Sequence, residues 1–219
     1  MDNEFTLLSR LNGFVLDTRN PAEAGCQRDI LDVNQRGRSI VLIGMMGAGK
    51  SSAGRCLCRH TGLTLFDTDE MVSSKFGVPI SEIFSTHGER KFREAETEAL
   101  RNLSTRQRAI IVTGGGIVLR EENLGLLKRL GAIVWLEANE KTLFKRASQA
   151  GNRPLLQPKN PRKAFSQMLQ ARLPLYVKVA DIRVDTSVLT DEEVAVAILS
   201  KFRRFYPKSV SASRMSATA

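Results

Sequence analysis

The sequence predicts an α/β fold built on a parallel sheet, and three observations predict it. From Arg38 onward five short apolar runs recur: Ile40–Ile43, Leu63–Phe66, Ile110–Val112, Ile133–Leu136 and Ile182–Val184. Most lack polar alternation, as strands covered on both faces do. Amphipathic stretches of helical length separate them, at 50–60, 88–103, 121–130, 139–149, 161–178 and 190–204. Strands alternating with such helices make βαβ units. Finally, a glycine-rich turn joins the first run to the first helix.

Residues 1–37 come before this pattern and show no steady period; they mix polar residues with Gly13, Pro21, Gly25 and Gly37. They read as an N-terminal extension outside the core, partly ordered at best, in which Phe5–Leu11 could form a short helix. The first run then leads into Gly44-Met45-Met46-Gly47-Ala48-Gly49-Lys50-Ser51, which fits G-x-x-x-x-G-K-[ST] in its required place between strand and helix. Backbone N–H groups must wrap phosphate oxygens there, so side chains would obstruct, and glycine permits the positive φ of such a turn. The helix from Lys50 aims its N-terminal dipole at the phosphates. Lys50 is expected to reach the β- and γ-phosphates, and the Ser51 hydroxyl to ligate Mg²⁺. The plain alternative is a glycine turn joining a strand to a helix.

The second run ends in Asp67-Thr68-Asp69. In extended chain residues two apart share a face, so both carboxylates are expected to enter one cleft above the sheet edge. Asp67 then holds Mg²⁺, directly or through water, and Asp69 orients a hydroxyl that attacks phosphorus. The competing reading has one of them cap a helix running from Asp69 to about Phe76, a position that suits Asp69 better than Asp67. Gly88 opens the next helix. In it Arg93 either clamps a ligand carboxylate or pairs with Glu89 or Glu96, and spacing alone favours the pairing. Thr113-Gly114-Gly115-Gly116 ends the third run, leaving backbone open to a ligand or forming a tight turn.

Beyond the fourth run, Gly151–Pro161 is rich in Gly, Asn, Pro, Gln and Lys. It reads as a mobile basic loop, a lid of about 150–162, that can bring Arg153 to the transferring phosphoryl group. Arg172-Leu173-Pro174-Leu175-Tyr176 supplies another arginine near a helix kink or end, and Arg146 could stack on a base. A solvated charge is the bland reading of each. Residues 206–219 are small, polar or basic and predict a disordered tail.

Composition narrows the class. A chain of 219 residues predicts one domain with appendages, here 38–205. No run of 18 apolar residues exists, which argues against a transmembrane helix, and the first residues do not read as a secretory signal. Cys26, Cys56 and Cys58 form no disulfide framework and, with His60 and His87 as the histidines, offer few zinc ligands. A reducing, cytoplasmic setting is expected. The net charge of +10 is concentrated: residues 139–183 carry a net +8 and residues 201–219 a net +5. Nucleic acid, membrane or small anions could each explain it; without a recognition motif for nucleic acid, the tail reads as solvated.

Taken together, these residues resemble shikimate kinase, within the phosphate-loop nucleoside-monophosphate-kinase superfamily, over about 39–200. GMMGAGKSS with Gly54-Arg55, FDTD at 66–69, Phe84 through Glu96 as F-x-x-x-G-E-x-x-F-R-x-x-E, GGGIVLREEN at 114–123, VWLEA at 134–138, RPLL at 153–156 and RLPLY at 172–176 occur in the family's order. The resemblance implies a three-layer α/β/α P-loop kinase fold with a five-stranded parallel sheet, a helical substrate-binding region at about 69–100 and a mobile lid. It implies phosphoryl transfer from ATP to the 3-hydroxyl of shikimate by a monomer needing Mg²⁺, with neither nucleic acid nor membrane as partner. Gly47, Ala48, Gly49, Lys50, Ser51 and Ser52 would hold ATP, with Arg146 beside adenine and Arg153 on the phosphates. Ser51 and Asp67 would surround Mg²⁺. Asp69, Arg93, Gly114, Gly115, Gly116 and Arg172 would hold shikimate, and Lys50, Asp69 and Arg153 would carry the chemistry. Ser52 stands where threonine is common, and 185–187 matches the adenine loop weakly. Gluconate kinase and nucleoside-monophosphate kinases are the enzyme alternatives; a binding protein without turnover is the other class.

Overall fold

A computed structural model describes residues 38–103, 108–149 and 160–206. The extension 1–37, Arg153 with most of the expected lid, and the tail after Tyr206 lie outside the described residues. In chain order the elements are β1 (Ser39–Ile43), α1 (Lys50–Thr61), β2 (Thr64–Asp67), α2 (Thr68–Phe76), α3 (Ile80–Asn102), β3 (Ala109–Val112) and a 3-10 turn (Ile117–Leu119). Then come α4 (Glu121–Leu130), β4 (Gly131–Glu137), α5 (Glu140–Gln149), α6 (Pro161–Val179), β5 (Ile182–Asp185) and α7 (Asp191–Phe205).

The five strands form one parallel sheet in the order β2-β3-β1-β4-β5. β1 is central: Val41 sits between Ile111 of β3 and Ile133 of β4. Ile40, Val41, Leu42 and Ile43 are all fully buried. Alternate residues face opposite sides of a sheet, so this burial requires cover on both faces. That makes three layers. α1 packs on α7 and on β3, and α4 and α6 pack on β4. β5 is an edge strand whose burial alternates, with Arg183 and Asp185 exposed. Because the chain leaves β1 toward β2 on one side and continues from β3 to β4 on the other, the carboxyl end of β1 is the topological switch point, where open α/β sheets bind ligands.

Three boundaries differ from expectation. α3 starts at Ile80 rather than Gly88, and Gly88 breaks it at φ 77°, ψ 167°. Ile80, Ile83 and Phe84 have helical spacing and pack with Val72, Phe92 and Ala95 in a second apolar cluster beside the main core. The lid range ends in helix: Asn160 caps α6 by accepting from the Lys163 N–H at 3.1 Å, with Pro161 in the first turn. Tyr206, assigned to the tail, belongs to the fold, with the Arg38 guanidinium 5.2 Å from its ring centroid.

Candidate active site

β1 delivers the loop 44–49 to the switch point. Gly47 has φ 82°, and a Cβ there would lie 2.3 Å from the Leu143 carbonyl oxygen of α5. The loop therefore lies against α5 with no space for a side chain, and its curve opens toward the first turn of α1. Lys50 is buried, and its Nζ donates to the carbonyls of Gly44 at 2.9 Å and Met45 at 3.0 Å. The ammonium is held inside the curve of the loop, beside the N-terminal dipole of α1.

Asp67 and Asp69 meet in one cavity by a different route from the one their spacing suggested. β2 ends at Asp67, and the chain turns into α2 at once. Asp67, not Asp69, is the helix cap: its Oδ1 accepts from the Asp69 N–H at 2.9 Å. Its other oxygen, Oδ2, accepts from the Ser51 hydroxyl at 3.4 Å. Two hard oxygen ligands thus face each other beside the loop, a donor set that suits Mg²⁺, which takes few protein ligands and keeps phosphate oxygens and water. Among the described residues no group of three or more His, Cys, Asp or Glu could hold a metal ion by itself.

At the other end of the cavity four elements converge. Arg93 of α3 is 11% exposed at its side chain and lies flat over Gly116, where a Cβ would come within 2.4 Å of the guanidinium. Its Nη1 donates to Glu96 Oε2 at 2.5 Å, and its Nε and Nη2 donate to Glu89 Oε1 at 3.2 and 2.9 Å. Both pairing partners that the helix spacing offered are used at once. Burial works against the charge on Arg93, and Glu96 followed by Glu89 outweighs it, leaving the guanidinium above its usual pKa. Arg172 of α6 is the contrast. It is buried, and among the described residues no carboxylate bonds to it; its Nη1 reaches the Met45 sulfur at 3.7 Å. Burial lowers its pKa.

Glu96 is fully buried, and burial lifts its carboxyl to about 7 against the opposing pull of Arg93. Its Oε1 has no hydrogen-bond partner among the described residues. Gly114 explains how two carboxylates fit: a Cβ there would lie 2.5 Å from Glu96 Oε1 and 2.5 Å from Asp69 Oδ1. The Gly114 N–H donates to the Thr68 hydroxyl at 3.2 Å, tying the triplet to α2. Tyr176 of α6 donates to the Gly115 carbonyl, and burial pushes its phenol up to about 12.

A single cavity of about 760 Å³ joins these two ends, lined by Lys50, Ser51 and Asp67 at one and Asp69, Arg93 and Arg172 at the other. Ser52 and Arg146 also line it. Arg146 donates to the Thr186 carbonyl at 3.0 Å and hydroxyl at 3.3 Å, which anchors α5 to the segment after β5. Sequence reasoning gave Glu96 only the pairing with Arg93 and left Thr68 and Tyr176 without a role. Glu96 had a signal: it falls on the apolar stripe Phe92, Ala95, Ala99, Leu100 of α3, where a carboxylate needs a partner.

A parallel sheet with a phosphate loop at its switch point, opening into a cavity with buried arginines, defines a P-loop kinase acting on a small anionic acceptor. The comparisons with known proteins identify which one. The shikimate kinase family model matches residues 46–203. Shikimate kinase of Thermodesulfovibrio yellowstonii is 46% identical over 167 residues, 76% of this chain and 96% of the relative. That of Moorella thermoacetica is 45% identical over 148 residues, 68% and 84% of the two chains. The structure of shikimate kinase from Acinetobacter baumannii in complex with shikimate aligns at TM-score 0.75 and 34% identity, covering 78% of this chain and 96% of that one. The Aquifex aeolicus enzyme aligns at TM-score 0.65 and 32% identity, covering 76% and 96%. The chain belongs to the shikimate kinase family.

Proposed function

We propose that this protein transfers the γ-phosphoryl group of ATP to the 3-hydroxyl of shikimate, giving shikimate 3-phosphate and ADP in aromatic amino acid biosynthesis. The observation that carries this reading is the single cavity with a phosphate loop at one end and Arg93, Arg172 and Asp69 at the other. Gly47, Ala48, Gly49, Ser51 and Ser52 hold the ATP phosphates, and Lys50 swings from its own loop carbonyls onto them. Ser51 and Asp67 hold Mg²⁺, which when bound offsets charge on the phosphoryl oxygens. Arg153 of the lid reaches the same oxygens, and Arg146 sits beside adenine. Arg93 and Arg172 take the acceptor carboxylate, with Gly114, Gly115 and Gly116 forming the floor. Asp69 orients the acceptor hydroxyl and accepts its proton as the oxygen–phosphorus bond forms.

Positioning and charge stabilisation supply most of the rate in such transfers. Buried Arg172 also gives selectivity, since an acceptor without a carboxylate brings it no counter-charge. We assign the kinase unit to 38–205. We propose that this unit acts as a monomer. Free Cys56 and Cys58 agree with a cytoplasmic setting, and among the described residues no helix is long and apolar enough to cross a membrane. The test is ADP release with ATP and Mg²⁺ in the presence of shikimate, gluconate, AMP or no acceptor. Release that depends on shikimate alone is expected; release with gluconate or AMP instead would overturn the acceptor assignment.

A further inference from the structure

Glu89 sits where a ligand carboxylate would be expected. Its Oε1 bridges the Nε and Nη2 of Arg93 at 3.2 and 2.9 Å, the side edge of the guanidinium that recognises carboxylates. It also acts electrostatically on Arg172, so its charge lies within reach of both arginines. The other carboxylate on Arg93 is different in kind. Glu96 is fully buried and fixed by its surroundings, whereas the Glu89 side chain is 55% exposed. Glu89 begins the second segment of α3, directly after the break at Gly88, where a Cβ would meet nothing within 4 Å. More than half of the Glu89 side chain faces water, which leaves it room to turn off Arg93.

We propose that Glu89 is a specificity-determining residue: it occupies Arg93 as an internal carboxylate that the acceptor must displace. This rests on the reading that Arg93 receives the acceptor carboxylate. Glu89 spends one oxygen on two N–H groups. A ligand carboxylate brings two oxygens and forms two parallel bonds, the stronger arrangement. Glu89 is the half-exposed partner of the pair, so water screens its side and takes up the released carboxylate, which lowers the cost of displacement. A carboxylate that can also bond Arg172 overcomes that cost, and a simple carboxylate or stray anion bonding Arg93 alone gains little by the exchange. Glu89 thus filters anions by whether they satisfy both arginines. The exchange is also nearly charge-neutral at Arg93, so salt weakens acceptor binding only shallowly.

The test is calorimetric titration of shikimate and, separately, acetate into the wild-type protein, Glu89→Gln and Arg93→Ala, at two salt concentrations, with thermal unfolding as a folding check. Glu89→Gln is expected to bind shikimate about two- to fivefold more tightly, the equivalent of one ion pair screened on its Glu89 side. It should bind acetate measurably more tightly and show a steeper salt dependence for shikimate. Weaker or unchanged shikimate binding by Glu89→Gln would overturn the proposal, because Glu89 would then be orienting Arg93 or lie off the ligand's path. Arg93→Ala distinguishes the two levels: if it binds shikimate as the wild type does, the acceptor-site reading fails first.

Discussion

The two ends of the cavity are built from different materials. The phosphate end is built on one contiguous segment, 44–52, with Asp67 beside it, and it works mainly through backbone groups and the start of a helix. The acceptor end is assembled from side chains on α2, α3 and α6 around the glycine triplet after β3. A backbone site needs residues that stay out of the way, and a run of glycines before Lys-Ser announces this locally. A side-chain site needs distant residues brought together, and only the fold does that. The two ends also differ electrically. Lys50 is held by neutral carbonyls, whereas Arg93 is held by two carboxylates. Binding a carboxylate at Arg93 is therefore an exchange of one carboxylate for another.

This contrast sets the expected effects of single substitutions. The largest is Lys50→Ala. It should lower kcat by about 10²–10³-fold or more, as loss of a group aimed at developing charge does, while shikimate affinity measured by calorimetry stays near the wild-type value. Near-normal turnover would remove the phosphate-loop assignment. Next is Arg93→Ala, which should raise the shikimate KM by about 30-fold or more and leave the ATP KM little changed. Equal effects on both would erase the division between the two ends.

The smallest effect concerns Glu96. Its carboxyl titrates near 7 in the folded protein, above the ordinary value of 4.5. The Arg172 charge helps hold this carboxyl down; a ligand carboxylate bonded to Arg172 offsets that charge, favours protonated Glu96 further, and so binds with uptake of a fraction of a proton and more tightly as pH falls. The shikimate KM should therefore rise about threefold between pH 6 and 8, and Glu96→Gln should flatten that rise. The same raised pKa means that the Glu96 contribution to folding stability is greatest at low pH and declines as pH rises from 4.5 through 7. A KM profile equally steep in Glu96→Gln would assign the titration to another group.

Legibility in the sequence followed the same division. The five strands and the phosphate loop were readable because burial on two faces and a glycine turn leave local patterns. Asp67 and Asp69 were readable as a pair, although the reason was wrong. An extended strand was expected, but Asp67 ends β2 and caps α2, and the turn itself aims both carboxylates into the cavity. The helix from Ile80 was missed because Gly88 reads as an opener when its neighbours in space are unknown. Arg93 looked like a surface residue pairing along its helix. It does make those pairs, yet it is buried over Gly116, and helix spacing carries no information about that contact. Glu96 has a role only once Gly114 is seen to leave space for it beside Asp69.

The most direct test of the account is a crystal structure of the protein with ADP and shikimate. The account predicts the shikimate carboxylate between Arg93 and Arg172, the 3-hydroxyl at Asp69, the diphosphate in the curve of 44–52, and Glu89 turned away from Arg93. Shikimate bound with its carboxylate away from both arginines, or with its 3-hydroxyl far from Asp69, would contradict it.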